Sequence, residues 1–380
     1  MLKLRIALPL ALLASACQSD PSTAPVADAA RAASKSSAPS LAAPIVGATA
    51  CDELIRPGET HFAHLWKVTS GVENAAEGYW SFAGDRLVMQ ATVDGTACDR
   101  ILTTAARGGK LVPVSNGNGV TTCAYFMPGD KSVIYASTHA FMVDCPPKVD
   151  MSRGYVWAVH PEYDIYVKDL ATGAERALTT EWGYDAEATV SPRGDRMVFT
   201  STRSGDLELW TCDLAGGDLK QVTNKLGYDG GAFFSHDGEW LVFRSTAFTP
   251  GQEETEQAEY KALLKTWLVR PSRMEIMVCR PDGSERRRVT NLGQANFAPF
   301  FFPDDKRIVF ASNHHDQATR GRNFDLFAID VDGKNLEKIT HDADFDGFPM
   351  FSPDGKWLAF ASNRGGRQPR ETNMFIAQWK

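Results

Sequence analysis

The sequence predicts an all-β fold, a six-bladed β-propeller of four-stranded antiparallel blades. Three observations predict it. One hairpin motif recurs six times, its recurrences are a blade's length or more apart, and the two chain ends carry the strands that a last blade lacks.

The motif is clearest from Phe345 to Arg364, FDGFPMFSPDGKWLAFASNR. Pro353 presets φ at the first central turn position, and Gly355 takes a positive φ without steric cost. Leu358 and Phe360 then alternate with smaller neighbours, as in a half-buried strand. The same frame returns at Tyr79–Ala91, Tyr125–Ser137, Thr189–Ser201, Phe233–Ser245 and Phe300–Ser312. Taking Ser81, Met127, Ser191, Ser235, Phe302 and Ser352 as equivalent, the spacings are 46, 64, 44, 67 and 50. A blade needs about 40–45 residues, so two blades carry insertions.

Within a blade the order is constant. In blade four, strand A is Gly231–Ser235, strand B Trp240–Ser245, strand C Glu275–Cys279 and strand D Arg287–Thr290. Blades three and five repeat these parts, each with a Gly turn before a [VI]-T strand. His61–Thr69 reads as a strand D and Asn373–Trp379 as a strand C, so the chain ends close the ring in one shared blade.

Because strand direction alternates, the D-to-A and B-to-C loops share one face. Both insertions, Thr138–Tyr163 and Thr246–Met274, are B-to-C loops. In the second, Tyr260, Leu263, Leu264 and Trp267 share one helical stripe that stops before Pro271. This helix lies over the face or plugs a gap in it.

Residues 1–16 carry Lys3 and Arg5, an apolar run from Ile6 to Leu13 and small residues before Cys17, which is the make-up of an export signal. A Cys after such residues resembles the bacterial lipoprotein box. That resemblance implies cleavage before Cys17, lipidation of Cys17 and, with Gln18 and Ser19 following, sorting to the outer membrane, facing the periplasm. Residues 17–50, rich in Ala, Pro and Ser, read as a flexible tether, and residues 51–380 as the propeller.

The formal charge is −7, or −9 without Lys3 and Arg5, and no long basic run exists; nucleic acid is excluded as an expected partner. Seven cysteines in an exported chain permit disulfides. Cys98, Cys123 and Cys145 fall on the insertion-bearing face, and Cys98–Cys123 or Cys123–Cys145 would pin neighbouring blades. Cys212 and Cys279 end equivalent strands of adjacent blades, too far apart to pair.

The SPDG hairpins, each followed by D-[IL]-[YWF], a Gly turn and a [VI]-T strand, resemble the C-terminal propeller of TolB and equally the propellers of the prolyl oligopeptidase family. The resemblance covers about Phe62 to Trp379. The blocks ENAAEGYWS, TTCAYF, GYDAE, GYDGGAFFS and FDGFPMFSPDG resemble TolB-like lipoproteins more closely. Neither the α/β domain that precedes the propeller in TolB nor a GxSxG hydrolase motif is found. A place in the Tol–Pal system is implied by the resemblance alone.

Candidate ligand-binding residues enter the inner strands at the channel mouth: Tyr184, Asp185, Glu187, Tyr228, Asp229, His341, Asp344 and Asp346, with Glu73 and Glu77 nearby. The carboxylates would suit a divalent cation such as calcium. Adding His139, His314 and His315 around Asp185 would suit a transition metal. Against this, Asp in such loops commonly caps turns. The aromatics Tyr184, Tyr228, Phe345 and Phe348 either grip a sugar or peptide, or form interblade core.

The expected function is a lipid-anchored envelope scaffold that engages a protein, peptide or glycan through the channel-mouth face. The alternative is a propeller enzyme, a metal-dependent saccharide lyase or hydrolase. A channel plugged by side chains, with an apolar patch on the face, would favour the scaffold.

Overall fold

The computed structural model describes residues 48–93, 96–152, 154–316, 321–368 and 371–380. The expected signal, Cys17 and most of the tether lie outside these residues.

Six antiparallel blades form the expected ring. The inner A strands are Val72–Trp80, Thr121–Phe126, Asp185–Val190, Asp229–Phe234, Asn296–Phe301 and Asp346–Phe351. In blade six, strand C is Asn373–Trp379 and strand D is Phe62–Lys67. They pair from Phe62 opposite Trp379 to Lys67 opposite Phe375, with one register shift between Phe62 and His64. Thr49–Ala50 adds a fifth strand against Trp66 and Lys67, so the sheet begins before Cys51, inside the stretch read as tether. The Trp80 indole N–H donates to the Met350 carbonyl at 3.0 Å and joins the first blade to the last.

The A–B turns use the expected chemistry, with φ near +71° at Gly355. Two turns put aspartate at this position: Asp130 (φ 58°) and Asp305 (φ 57°). Aspartate tolerates the left-handed region, and each carboxylate reaches the turn of the preceding blade. Asp130 accepts from the N–H groups of Phe82 and Ala83 at 2.8 Å, and Asp305 from those of His236 and Asp237 at 2.8 and 3.1 Å.

Strand D is shorter than expected, only Arg287–Arg288 in blade four. The [VI]-T pair continues by other bonds. Val289 N–H donates to the Ile276 carbonyl, and the Thr290 hydroxyl replaces a ladder carbonyl by accepting from Ile276 N–H at 2.8 Å. Thr223 and Thr340 do the same for Leu209 and Leu326. A short outer strand also leaves little unpaired edge.

The α-helix Glu253–Leu264 stops before Trp267. Tyr260 alone of the expected stripe is buried, and its hydroxyl donates to Asp206. Trp267 has turned into the left-handed region (φ 58°), and its carbonyl accepts from Val159 N–H at 2.9 Å. Leu268–Val269 then pairs with Trp157–Ala158, so the two insertions join as a strap.

Arg364 locks the closing segment. Fully buried, it donates to Glu59 at 3.0 and 3.1 Å, to Asp346 at 2.6 Å and to the Leu54 carbonyl at 3.3 Å. Arg364→Met would strand two buried carboxylates and cost about 3–5 kcal/mol. Chemical denaturation measures this loss; a variant within 1 kcal/mol, roughly the value of an exposed pair, would contradict it.

Candidate functional site

Every A strand breaks register at one equivalent place, between Ala76 and Tyr79, Thr122 and Tyr125, Ala186 and Thr189, Gly230 and Phe233, Phe297 and Phe300, and Gly347 and Met350, and the first strand breaks again between Glu73 and Ala76. Each bulge holds one residue with positive φ: Glu77 (50°), Cys123 (53°), Glu187 (60°), Gly231 (59°), Ala298 (50°) and Phe348 (54°). Bulges re-aim side chains, and these six make a ring around the mouth.

Two residues further along each strand come Tyr79, Tyr125, Thr189, Phe233, Phe300 and Met350, all buried. Tyr79 of blade one meets Phe233 of blade four at 5.2 Å between ring centroids, across the axis. Tyr125 and Phe300 pack on the same Phe233 ring at 6.2 and 5.3 Å. Side chains therefore plug the channel beneath the bulge ring.

Glu187 is the polar hub of the mouth. It accepts from the Thr200 hydroxyl at 2.6 Å, the Tyr228 hydroxyl at 2.7 Å, Gly231 N–H at 2.9 Å and the Arg244 guanidinium. Burial pushes its carboxyl up, but Arg244 and the hydroxyls outweigh burial and hold it below the usual range. A Cβ at Gly231 would lie 2.0 Å from Arg244 Nη1, so any larger residue at this bulge would displace the guanidinium from its place beside Glu187. Arg244 also stacks over Tyr228 at 4.6 Å and Trp157 at 5.4 Å.

Glu77 lies beside this hub and accepts from Cys123 N–H at 3.1 Å. Burial pushes its carboxyl up to about 7, with Glu187 adding to the rise and Arg244 opposing it. Burial and the two glutamates also hold the Cys123 thiol protonated. The other half of the mouth is apolar: Phe297 packs on Phe324 and Phe348 at 4.9 and 5.6 Å, and Phe345 on Phe348 at 6.2 Å. Trp157 of the strap lies edge-on to both Tyr228 and Phe297 at 6.4 Å, over the mouth.

The remaining candidates mostly build blades. Asp185 is held by Arg203 at 2.9 and 3.0 Å, Asp229 by Arg286 at 2.7 and 3.0 Å, and Asp346 by Arg364. Each aspartate opens a strand A opposite a serine at or next to the end of strand B: Ser201, Ser245 and Ser362. Arg203 and Arg364 follow that serine by two residues and bond its hydroxyl. His139 and His314 occupy the same position and bond Ser137 and Ser312 at 2.8 Å. His315 lies 2.7 Å from Asp325. Thus His139, His314, His315 and Asp185 are engaged in blades two, five and three and do not converge as a metal site would require. Among the described residues no three His, Cys, Asp or Glu side chains are placed to hold a metal ion. Exposed His341 and Asp344 stay at the rim of blade six, and buried Tyr184 packs on Tyr163 at 5.8 Å.

The expected disulfide pairings are corrected. Cys98 bonds Cys145, with Cα atoms 5.9 Å apart, and ties blade one to the first insertion. Cys123 remains a free thiol because its bulge places it among Glu77 and Glu187 instead of at the rim. Cys51, Cys212 and Cys279 are buried and free.

Above the mouth, the insertion-bearing face exposes Phe141, Val143, Met151, Tyr155 and Trp182, each 48–72 % accessible. Phe141 and Trp182 meet edge to face at 6.0 Å.

A family model for the TolB beta propeller domain matches residues 154–252 and 269–370. No curated protein matches in sequence. Among solved structures, the chain is similar to the TolB candidate from Agrobacterium tumefaciens, at 19% identity over 81% of this chain and 91% of the other, with TM-score 0.53. It is similar to TolB from Acinetobacter baumannii at 20% identity, over 74% and 61%, with TM-score 0.51. An oligogalacturonate lyase in complex with manganese follows at 15% identity, over 88% and 97%, with TM-score 0.50. At these identities the likeness is one of fold.

Glu77 sets a pH test. Its folded value near 7 stands above the ordinary 4.5, so the folded chain keeps a proton that the unfolded chain releases. Its stabilising contribution is full below the unfolded value and is lost as pH rises through the folded one. The melting temperature of the wild type should therefore fall relative to Glu77→Gln between about pH 5 and 8. Parallel curves would contradict the assignment.

Proposed function

The chain belongs to the TolB beta propeller domain family, and from that premise we propose a lipid-anchored envelope scaffold that docks a protein partner on its insertion-bearing face. The observation that carries this reading is the exposure on that face of Phe141, Val143, Met151, Tyr155 and Trp182, of which Phe141 and Trp182 are in contact. A group of this kind on a folded surface marks an interaction site. The plugged channel agrees with it, since it leaves the face and not a through-passage to do the binding. Lipidation at Cys17 would hold the propeller at a membrane, with the outer membrane and its periplasmic side as the proposed location. Peptide and glycan ligands are narrower versions of the same reading, with Phe345 and Phe348 as their aromatic contacts.

One observation favours an enzyme. Glu77 and Glu187 adjoin with carboxyls pushed in opposite directions, the pattern of an acid and a base. Against it, Glu187 is committed to Arg244 and Trp157 lies over the pair. Among the described residues the His, Cys, Asp and Glu side chains do not converge as a metal-dependent lyase would require.

Photoreactive residues at Phe141 and Met151, and at Arg193 and Glu285 on the opposite face, test the scaffold in living cells. Discrete cross-linked species are expected from the first pair alone. Cross-links only from the second pair, or from neither, would overturn it.

A further inference from the structure

A second recess is built by the insertions themselves. It is a cleft of about 470 Å³ away from the channel mouth, between the first insertion, the loop entering blade three and the end of the strap. Its principal walls are Trp182 and Trp267, with Asp150, His160 and Glu162 supplying the polar groups. Gly183 N–H donates to the Pro161 carbonyl at 3.1 Å and fixes the Trp182 loop against the insertion. Trp267 is fixed by the left-handed turn that ends the helix.

Among the described residues the lining contains two carboxylates and neither lysine nor arginine. Burial holds His160 below its usual range, so it adds no positive charge at neutral pH. Asp150 accepts from the N–H and hydroxyl of Ser152 at 2.8 and 2.9 Å. Glu162 is half-buried, and its Oε2 has no hydrogen-bond partner among the described residues. A carboxylate in the wall of a cleft with an unused acceptor can take a charge-assisted hydrogen bond from a ligand cation. Indole faces attract cations more strongly than other aromatic rings do.

We propose that this cleft receives a basic side chain, arginine or lysine, presented by the docked partner. The cation would lie between Trp182 and Trp267 and donate to Glu162, while the apolar residues around Phe141 cover the partner's adjoining surface. This rests on the docking reading above and names the chemistry of its anchor.

The probe is N-acetyl-arginine amide, with N-acetyl-citrulline amide as its uncharged counterpart. Both are titrated into the soluble chain while the indole N–H resonances of Trp182 and Trp267 are followed. One side chain held by a cation–π contact and a charge-assisted bond should bind with Kd in the ~1–10 mM range. Citrulline should bind at least about tenfold more weakly, as should arginine to Glu162→Gln and Trp182→Leu. Unchanged melting temperatures would show that both variants are folded. No saturable shift of the two indoles by ~50 mM, or equal binding of citrulline, would overturn the inference. Cross-linking at Phe141 in the Glu162→Gln background separates the two proposals. Undiminished cross-links without arginine binding remove the basic anchor alone, whereas absence of cross-links in the wild type removes the docking reading.

Discussion

Six blades make a ring only when the first is joined to the last, and here backbone hydrogen bonds between the two chain ends make the joint. Phe62–Lys67 and Asn373–Trp379 lie side by side in blade six, although more than three hundred residues separate them in the sequence. Such a contact has a large loop-closure cost, and the structure concentrates buried interactions there. Glu59 sits beneath Arg364 and Asp346, and Trp80 reaches the Met350 carbonyl. Once the ring is closed, the A strands face one axis, and their bulges and plug residues can meet.

The repeat divides the polar residues into two kinds. At the level where strand A begins, strand B ends and strand C begins, an acid, a serine and an arginine or histidine recur from blade to blade. Asp185–Ser201–Arg203 and Asp346–Ser362–Arg364 are the full form, and Ser137–His139 and Ser312–His314 are partial ones. These groups fasten strands. Glu77 and Glu187 share the bulge position of blades one and three, but neither that glutamate nor Arg244 recurs around the ring, and insertions interrupt only blades two and four. What departs from the repeat therefore lies at the mouth and in the insertions that cap it.

The fold was legible because turn chemistry and alternation recur six times and each copy supports the others. The site was legible only in part. Tyr184, Asp185, Tyr228 and Asp229 stand where the loops place them, but their work is visible only when the S-x-[RH] ends of the B strands are aligned. That alignment was available in Ser201-Thr202-Arg203 and Ser137-Thr138-His139. The bulges were not legible, because a left-handed Glu77, Cys123 or Phe348 has no side-chain signature as glycine has. The position of Cys123 followed from its bulge, and so did its failure to pair. Arg244, set directly after the apolar run Leu241–Phe243, was a signal of a buried ion pair at the mouth.

The central claim is that the cap covers a partner in the cell. Hydroxyl-radical footprinting tests it most directly, because Phe141, Met151, Tyr155 and Trp182 are both exposed and readily oxidised. Oxidation of these four should be strongly reduced in intact cells relative to the purified chain, while Leu219 and Leu336 on the opposite face, also exposed, should react alike in both. Equal oxidation of the four in cells and in isolation would contradict the account.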